Sequence, residues 1–332
     1  MTAVAPQPAD EATAEHPLFE ARGLHVHFPV RGKKSVVKAL DGVDLVWNHG
    51  EVLGIVGESG CGKSTLGRTL LGLQRPTEGE VLFDGKPLRR GAMRDLRKRV
   101  QMVFQDPYQS LNPRQTVGRL VQEPLVIHGV ARRGIERIQR GVDALEAAGL
   151  APAERFWERY PHELSGGQRQ RVVIASAMVL DPHGLVCDEP VSALDVSVRA
   201  QVLQVLTELK RERGLGLLFI THDVGLAWAL CDRVAVMYLG RIVETGTTEQ
   251  VIGDPKHPYT KSLLSVVPTP FPRKDLKRTI LEGELPDASS VPPGCRFHPR
   301  CPMMIEDCKA VDPELRTPAG APASHLAACI RV

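Results

Sequence analysis

Hydrophobic residues along the chain fall into short apolar runs separated by stretches with helical spacing. The runs that predict buried strands are each followed by polar residues, and they cover residues 52–56, 100–104, 185–187 and 217–220. Between them, apolar residues recur every three or four positions, as in 117–145 and 198–209. Strands that alternate with helices predict an α/β fold built on a parallel sheet.

The N-terminal part of the chain departs from this alternation. Residues 18–46 read as short strands, with breaks at Pro29, Gly32, Asp41 and Gly42. A further strand at 80–84, with Val81 and Phe83 at alternating positions, closes at Gly85. Together these strands predict a small antiparallel β subdomain that packs against the parallel core.

Two later segments have patterns of their own. Residues 107–163 predict a mainly helical insertion, with loops at Pro124 and Gly129. Residues 232–244 predict a hairpin that turns at Gly240.

Composition narrows the class of protein. At 332 residues, with 42% hydrophobic and 24% charged residues, the chain is typical of a soluble globular protein with more than one domain. A net charge of +3 is too small to indicate nucleic-acid binding. Residues 1–17 predict a disordered tail, and the longest mainly apolar run, 172–180, is too short to cross a bilayer. The chain is therefore expected in the cytoplasm, where its seven cysteines should not form disulfides.

The segment Gly57–Thr65 has the spacing of a phosphate-binding loop, G-x-x-x-x-G-K-[ST], and directly follows an apolar strand. Its glycines allow backbone N–H groups to point at phosphate oxygens, and Lys63 adds a positive charge. Ser64 offers a hydroxyl to Mg²⁺. Leu66, Leu70 and Leu73 predict one buried face of the helix that follows. The alternative is an ordinary glycine-rich turn.

Polar residues at later strand and helix ends add candidate chemistry. Gln105 follows one apolar strand, Asp188 and Glu189 end another, and His222 follows a third. An acid at such an edge can hold Mg²⁺, and its neighbour can activate water. The run Leu164-Ser165-Gly166-Gly167-Gln168 predicts a helix capped by Ser165 and open to an anion, although an ordinary helix start would have the same pattern.

Taken in order, these motifs resemble the ATP-binding subunit of ABC transporters over about residues 18–254. The Leu-Ser-Gly-Gly-Gln run is far more specific than the phosphate loop. A P-loop kinase has no use for this run, and non-transport ABC ATPases usually carry two cassettes or a long coiled-coil insertion. The resemblance implies an ABC-type P-loop NTPase core with an antiparallel β subdomain and a helical subdomain at 107–163.

The resemblance also implies a role for each matching residue. Phe28 would stack on adenine, although a packed Phe is equally consistent with its position. Gln105 and Asp188 would join Ser64 at Mg²⁺, Glu189 would be the general base, and His222 would contact the γ-phosphate. The residues implied in binding the phosphates are Gly57, Ser59, Gly60, Cys61, Gly62, Lys63, Ser64 and Thr65.

The signature run is implied to act across a dimer. Ser165, Gly167 and Gln168 would contact the nucleotide held by a second ATPase subunit, and Asp195 would help to couple the two sites. Closure on ATP and opening after hydrolysis would then drive a membrane partner.

The C-terminal stretch, 255–332, resembles the extension of dipeptide, oligopeptide and nickel importer ATPases. Its marks are Pro255–Thr260, Gly283–Pro286 and Pro292–Cys295, and Phe104–Tyr108 with Ser110–Arg114 fit the same group. Details such as Glu189–Ser192 look most like the F-type subunit. This implies a heterodimer with a D-type ATPase on the cytoplasmic face of the membrane, two transmembrane permease subunits and an extracellular substrate-binding protein. Residues 108–128 would grip the permeases. Nickel or another small solute remains an alternative substrate.

Cys295, Cys301, Cys308 and Cys329 form a C-x5-C-x6-C-x20-C pattern near the C-terminus. Four thiols brought together in a cytoplasmic protein predict a metal site. Zinc sites usually use closer pairs, so a [4Fe–4S] cluster fits better, with zinc and unliganded thiols as alternatives. A structural role is expected because the extension is short and rich in proline. His298 and His325 are expected at the surface.

Overall fold

The computed structural model describes residues 16–30, 32, 35–131, 133–265 and 285–332. The strands are β1 (Phe19–Pro29), β2 (Val36–Trp47), β3 (Val52–Val56), β4 (Glu78–Phe83), β5 (Lys86–Pro87), β6 (Val100–Val103), β7 (Gly184–Asp188), β8 (Gly216–Thr221), β9 (Arg233–Tyr238), β10 (Arg241–Thr247) and β11 (Leu326–Ala327). The helices are α1 (Lys63–Leu70), α2 (Met93–Arg99), α3 (Pro107–Ser110), α4 (Val117–His128), α5 (Gly134–Ala147), α6 (Glu154–Trp157), α7 (Gly166–Met178), α8 (Val196–Arg213), α9 (Val224–Leu230) and α10 (Pro258–Ser265).

These elements belong to two compact units. The first takes its described residues from 16–18, 47–50 and 83–217, and the second from 19–46, 51–82 and 218–332. Each unit combines strands with helices, as the alternating apolar runs predict.

The second unit contains the larger sheet, with the strand order β11-β10-β9-β3-β8. β3 pairs in parallel with β9, in the register Leu53 to Arg233. β9 and β10 are antiparallel around Gly240, which confirms the predicted hairpin. β3 is buried along its whole length, as expected for a strand covered on both faces.

A smaller sheet in the same unit has the order β2-β1-β4. Here the predicted short strands are wrong, since β1 and β2 have 11 and 12 residues. β2 continues through Asp41 and Gly42, and at Gly42 the backbone adopts a φ of 88°, a left-handed conformation that glycine tolerates without strain. The alternation in β4 is also wrong, since Val81, Leu82 and Phe83 are all buried.

The first unit contains the predicted helical insertion, with α4 and α5 packed on α7. β6 and β7 pair in parallel, in the register Val100 to Gly184. The loop expected at Pro124 is absent, since Pro124 lies inside α4, whereas Gly129 does end that helix with a φ of 67°. α8 begins after the N-cap Asp195 and buries Val202 and Leu206, as its spacing predicts.

α1 is shorter than its pattern indicates. Leu66 and Leu70 are fully buried, but the helix ends at Leu70 and Leu73 is 50% exposed. The helical spacing of leucines in the sequence extends to Leu73, beyond the end of the helix. The predicted buried face of α1 is therefore one residue too long.

His325 is buried, which contradicts its expected surface position. Its Nε2 lies 2.7 Å from Oε1 of Glu244, a carboxylate with no exposed surface. Glu244 also accepts hydrogen bonds from the backbone N–H groups of Lys256 and His257, at 2.7 and 2.9 Å. These contacts tie β10 to the start of α10 and to the C-terminal segment. A buried carboxylate needs such donors, and the sequence gives no sign of their position.

Some sequence-based predictions lie outside the described residues. They are the tail up to residue 15 and the Gly283-Glu284 part of the C-terminal motif. Among the described helices, none combines the length and apolar character that a membrane span needs.

Replacing Glu244 by Ala should lower the free energy of unfolding by about 3–5 kcal/mol, because it leaves one histidine ring and two backbone N–H groups buried without their acceptor. Thermal unfolding of the purified chain measures the loss as a lower midpoint. The control is Glu306→Ala, which removes an exposed carboxylate, and it should change stability by less than about 0.5 kcal/mol. Equal midpoints for the two variants would contradict the structural role of Glu244.

Candidate functional site

The loop 57–62 between β3 and α1 is held close to its neighbours. A Cβ atom on Gly57 would lie 2.3 Å from the carbonyl oxygen of Met237, and one on Gly62 would lie 2.2 Å from that of Ala39. Gly62 also has a φ of 109°. Only glycine meets these constraints, and Ser59 and Gly60 remain exposed at the open side of the loop. The tight glycine-rich loop between a strand and a helix, which the sequence predicts, is thus present.

Lys63 lies under the loop at the start of α1. It is 4% exposed, and its Nζ donates to the carbonyl oxygens of Gly57 and Glu58 at 2.8 and 2.9 Å. The ammonium group is therefore held at the loop by protein contacts alone. Ser64 and Thr65 follow in the first turn of α1, half-buried beside it.

Cys61 points inward. It is 1% exposed, and burial raises the pKa of its thiol. Its carbonyl oxygen accepts a hydrogen bond from Gly240 N at 2.9 Å. The sulfur of Cys61 is therefore shielded from the open side of the loop.

Three of the predicted polar residues meet at the ends of β6 and β7. Asp188 is 2% exposed at the last position of β7, and Glu189 follows it. Nε2 of Gln105 donates to Oε2 of Glu189 at 3.3 Å. Glu189 has a φ of 48°, which is strained for a residue other than glycine. Strain of this kind clusters at functional sites, where it fixes the direction of a side chain.

The signature run forms the start of α7. Ser165 Oγ accepts from Gln168 N at 3.3 Å, and Ser165 N donates to Gln168 Oε1 at 3.0 Å. This reciprocal pair is a capping box, which confirms the predicted N-cap. A Cβ atom on Gly167 would lie 2.1 Å from Cγ1 of Val198, so α7 can approach α8 only with glycine there.

His222 and Phe28 are both exposed in the second unit. His222 follows β8, and the next residue, Asp223, caps α9 by accepting from Gly225 N and Leu226 N. Phe28 lies near the end of β1 with 37% of its surface exposed, so its ring is available to a ligand.

All four C-terminal cysteines line one small pocket, together with His257, Phe297 and His298. None of them forms a disulfide. Burial raises the pKa of Cys295 to about 11, and the other three thiols add to this by repelling its charge. His257 is fully buried, which lowers its pKa to about 3 and leaves the ring neutral. The residues 285–332 that carry these thiols are called the cysteine module below.

A second group of possible metal ligands is already occupied by protein cations. Nδ1 of His25 and Nε2 of His27 lie 3.0 and 2.9 Å from Oδ1 of Asp41. Arg296 and Lys38 also contact this carboxylate. Although burial opposes ionisation, the hydrogen bonds from Arg296 and His27 hold the pKa of Asp41 well below its usual range. The group is a network of donors around one carboxylate, and its Arg296 fastens the cysteine module to β2.

Sequence reasoning missed two residues that contact the phosphate loop. The hydroxyl of Tyr259, on α10, accepts a hydrogen bond from Glu58 N at 3.0 Å. Arg300 NH1 contacts both carboxylate oxygens of Glu58, at 3.2 and 3.0 Å. Both lie more than 200 positions further along the chain, so local pattern could not reveal them.

Comparisons with known proteins agree with this geometry. The family model described as ABC transporter matches residues 40–192, and the one described as oligopeptide/dipeptide transporter, C-terminal region, matches residues 243–308. The dipeptide transport ATP-binding protein DppF of Escherichia coli is 44% identical over 329 residues, covering 97% of this chain and 96% of that protein. DppF of Haemophilus influenzae is 46% identical over 315 residues, covering 92% of this chain and 95% of that protein.

Two solved structures are similar in fold. The dimeric ATP-binding cassette MJ0796 bound to ADP and phosphate has a TM-score of 0.63 and 31% identity, covering 69% of this chain and 98% of that one. CbiO1 of Clostridium perfringens has a TM-score of 0.64 and 31% identity, covering 72% of this chain and 92% of that one.

Gly167→Ala should lower the free energy of unfolding by about 1–3 kcal/mol, because the new methyl group overlaps Val198. Gly166→Ala is the matched control, since its nearest contact would be 3.4 Å from Leu194, and it should be nearly neutral. Thermal unfolding of both variants gives the comparison. Val198→Ala should restore part of the loss in the Gly167→Ala chain; additive losses would contradict this packing.

Proposed function

This chain belongs to the ABC transporter ATP-binding subunits of the dipeptide/oligopeptide importers, and we propose that residues 57–65, 165–168, 188–189 and 222 bind and hydrolyse the ATP that powers peptide import. The observation that carries the proposal is the strained Glu189, which follows a buried strand and accepts a hydrogen bond from Gln105. The ATPase part would cover residues 18–254 and the extension 255–332.

The phosphate groups would lie on the loop 57–62. Its backbone N–H groups and the start of α1 supply partial positive charge, and Lys63 supplies a full one. Transfer of a phosphoryl group depends mainly on positioning and on neutralising charge, so these donors are suited to the reaction. Phe28 would stack on the adenine with its exposed ring.

Glu189 is the proposed general base. It would take a proton from water as the water oxygen bonds to the γ-phosphorus, while the bond to the β-phosphate oxygen breaks and ADP leaves. The hydrogen bond from Gln105 supports this role because it fixes one carboxylate oxygen. His222 would contact the γ-phosphate from the end of β8.

Ser64, Gln105 and Asp188 are the proposed ligands of Mg²⁺. A hydroxyl, an amide oxygen and a carboxylate are the hard oxygen donors that this ion prefers. When bound, Mg²⁺ neutralises charge on the β- and γ-phosphate oxygens.

The capped start of α7 is proposed to complete the site of a second ATPase subunit. Ser165, Gly167 and Gln168 lie at a helix N-terminus, where backbone N–H groups attract an anion. Because each site needs donors from both subunits, ATP would favour a closed dimer and hydrolysis would release it, with Asp195 coupling the sites. The partner we propose is a D-type homologue, which makes the ATPase a heterodimer.

Membrane permease subunits and a substrate-binding protein are implied for an importer ATPase of this group. We propose that exposed apolar residues within 108–128 receive the permeases on the cytoplasmic face, among them Tyr108, Val126 and Ile127, each more than 60% exposed. Exposed apolar groups of this kind mark interaction sites. Arg169, which follows the signature run, stacks 4.0 Å above the Tyr108 ring, so movement of a permease at Tyr108 would reach α7 directly.

The cysteine module is proposed to hold a [4Fe–4S] cluster through Cys295, Cys301, Cys308 and Cys329. Four thiols around one pocket, two of them buried and two half-buried, fit such a group, because a metal stabilises the thiolates that burial otherwise disfavours. When bound, the cluster would cross-link the cysteine module through its four ligands. The module is short and has little hydrophobic core of its own, so it needs such a link.

Spacing of the ligand atoms supports a cluster over a single zinc ion. Within the described residues, the only group of three or more such atoms lying within 4.8 Å of one another is His25, His27 and Asp41. No three of the cysteine sulfurs therefore lie within 4.8 Å of one another. In a tetrahedral zinc site with Zn–S bonds of about 2.3 Å, neighbouring sulfurs are about 3.8 Å apart. The ligands of a [4Fe–4S] cluster bind four different irons and lie further apart.

Glu189→Gln should reduce ATP hydrolysis by about 10²–10⁴-fold, because the amide cannot take the proton. Binding of ATP should persist, since the amide occupies the same space. Hydrolysis by the assembled transporter and ATP binding by the purified chain measure the two effects. The control is Glu163→Gln, which leaves β7 untouched and should keep its turnover; normal turnover in Glu189→Gln would remove Glu189 from the role of base.

Anaerobic purification should yield about four irons and four sulfides per chain, with the absorption of an iron–sulfur centre. Metal and sulfide analysis makes the measurement. Cys301→Ser should lower the iron content, whereas Cys187→Ser, at a fully buried position outside the pocket, should not. A result of one zinc and no iron would overturn the cluster in favour of a zinc site. A chain that contains neither metal would refute the proposal of any metal site.

A further inference from the structure

The first residues of the phosphate loop are fixed by parts of the chain that follow the ATPase motifs. Glu58 lies between Gly57 and Ser59, and its backbone N–H donates to Tyr259 while its carbonyl accepts from Lys63. Its side chain, 26% exposed, is paired with Arg300. Each polar part of Glu58 therefore has a defined partner, and Arg300 is the one that comes from the cysteine module.

Arg300 is held for this contact. Its side chain is only 7% exposed, and its guanidinium lies 6.0 Å from the centre of the Tyr238 ring, at the edge of cation–π range. Tyr238, Tyr259 and Phe297 pack together with ring centroids 4.7–5.4 Å apart. A buried guanidinium that faces a carboxylate is costly to leave unpaired, so Arg300 keeps Glu58 in one position.

Cysteines flank the two arginines that reach out of the module. Arg300 directly precedes Cys301, and Arg296 directly follows Cys295. Arg296 pairs with Asp41 and donates to the carbonyl oxygen of Leu239 at 2.5 Å. The next residue, Gly240, donates to the carbonyl oxygen of Cys61. Ligation of the cysteines would thus fix the backbone from which both arginines extend.

We propose that Arg300 is a positioning residue for the phosphate loop, which makes nucleotide affinity depend on the cysteine module through the contact with Glu58. This inference rests on the proposed function, in that it takes Gly57–Thr65 as the nucleotide site. Arg300 does not touch the nucleotide; it acts by holding Glu58, whose carbonyl group in turn helps to fix Lys63.

The test is the dissociation constant of Mg·ADP, measured by titration calorimetry on the full chain purified anaerobically. Arg300→Gln should weaken binding on the order of tenfold, since it removes a largely buried charge pair. Arg300→Lys keeps the positive charge and should recover most of the affinity. Lys309→Gln breaks an exposed ion pair of the same module and should bind as the parent does.

A double-mutant cycle separates positioning from general damage. Glu58→Gln should weaken binding, and adding it to Arg300→Gln should change little, because both remove one contact. Cys301→Ser should likewise weaken binding in the parent chain but not in the Arg300→Gln chain. Should Arg300→Gln fail to fold, Glu58→Gln alone tests the same contact from its more exposed side.

The outcomes are distinct. A parent chain that does not bind Mg·ADP would refute the proposed function itself. A parent chain that binds, with Arg300→Gln within twofold of it, would refute only the role of Arg300. Losses that multiply in the double variant would also refute it, because the two residues would then act separately.

Discussion

The backbone of the phosphate loop lies closer to its neighbours than any side chain would allow, and the rest of the site depends on that approach. Gly57 faces the end of β9 and Gly62 faces β2, each in space that a Cβ atom would fill. The loop is pressed against both strands, and Lys63 lies beneath it with its Nζ bonded to the carbonyl oxygen of Gly57. The proposed role in binding phosphate through the backbone would need this rigidity before the ligand arrives.

Buried charge then connects the C-terminal region to this loop. Three carboxylates, those of Asp41, Glu58 and Glu244, are each paired with a side chain of the cysteine module. In every case the two partners are more than 50 positions apart in the chain. Such pairs add little net stability but are costly to break, so they specify one arrangement of the module. The short module has no strand longer than two residues among its described positions, and polar contacts largely replace a hydrophobic core.

The sequence predicted elements well where chemistry is local. The N-cap at Ser165 and the hairpin at Gly240 follow from neighbouring residues, and each is present. Prediction was wrong where packing decides. Pro124 lies inside a helix whose neighbours fix its path, and Asp41 and Gly42 lie inside a long strand instead of ending it.

The sequence by itself determined the order of the motifs, the residue types of the phosphate loop and the family, because these depend on fixed spacings along the chain. Only the tertiary structure decided which distant groups meet them. Tyr259 and Arg300 reach Glu58, and His325 reaches Glu244, through folding that no local period encodes. The physical reason is that a polar group removed from water requires a hydrogen-bond partner but does not specify where in the chain that partner must lie.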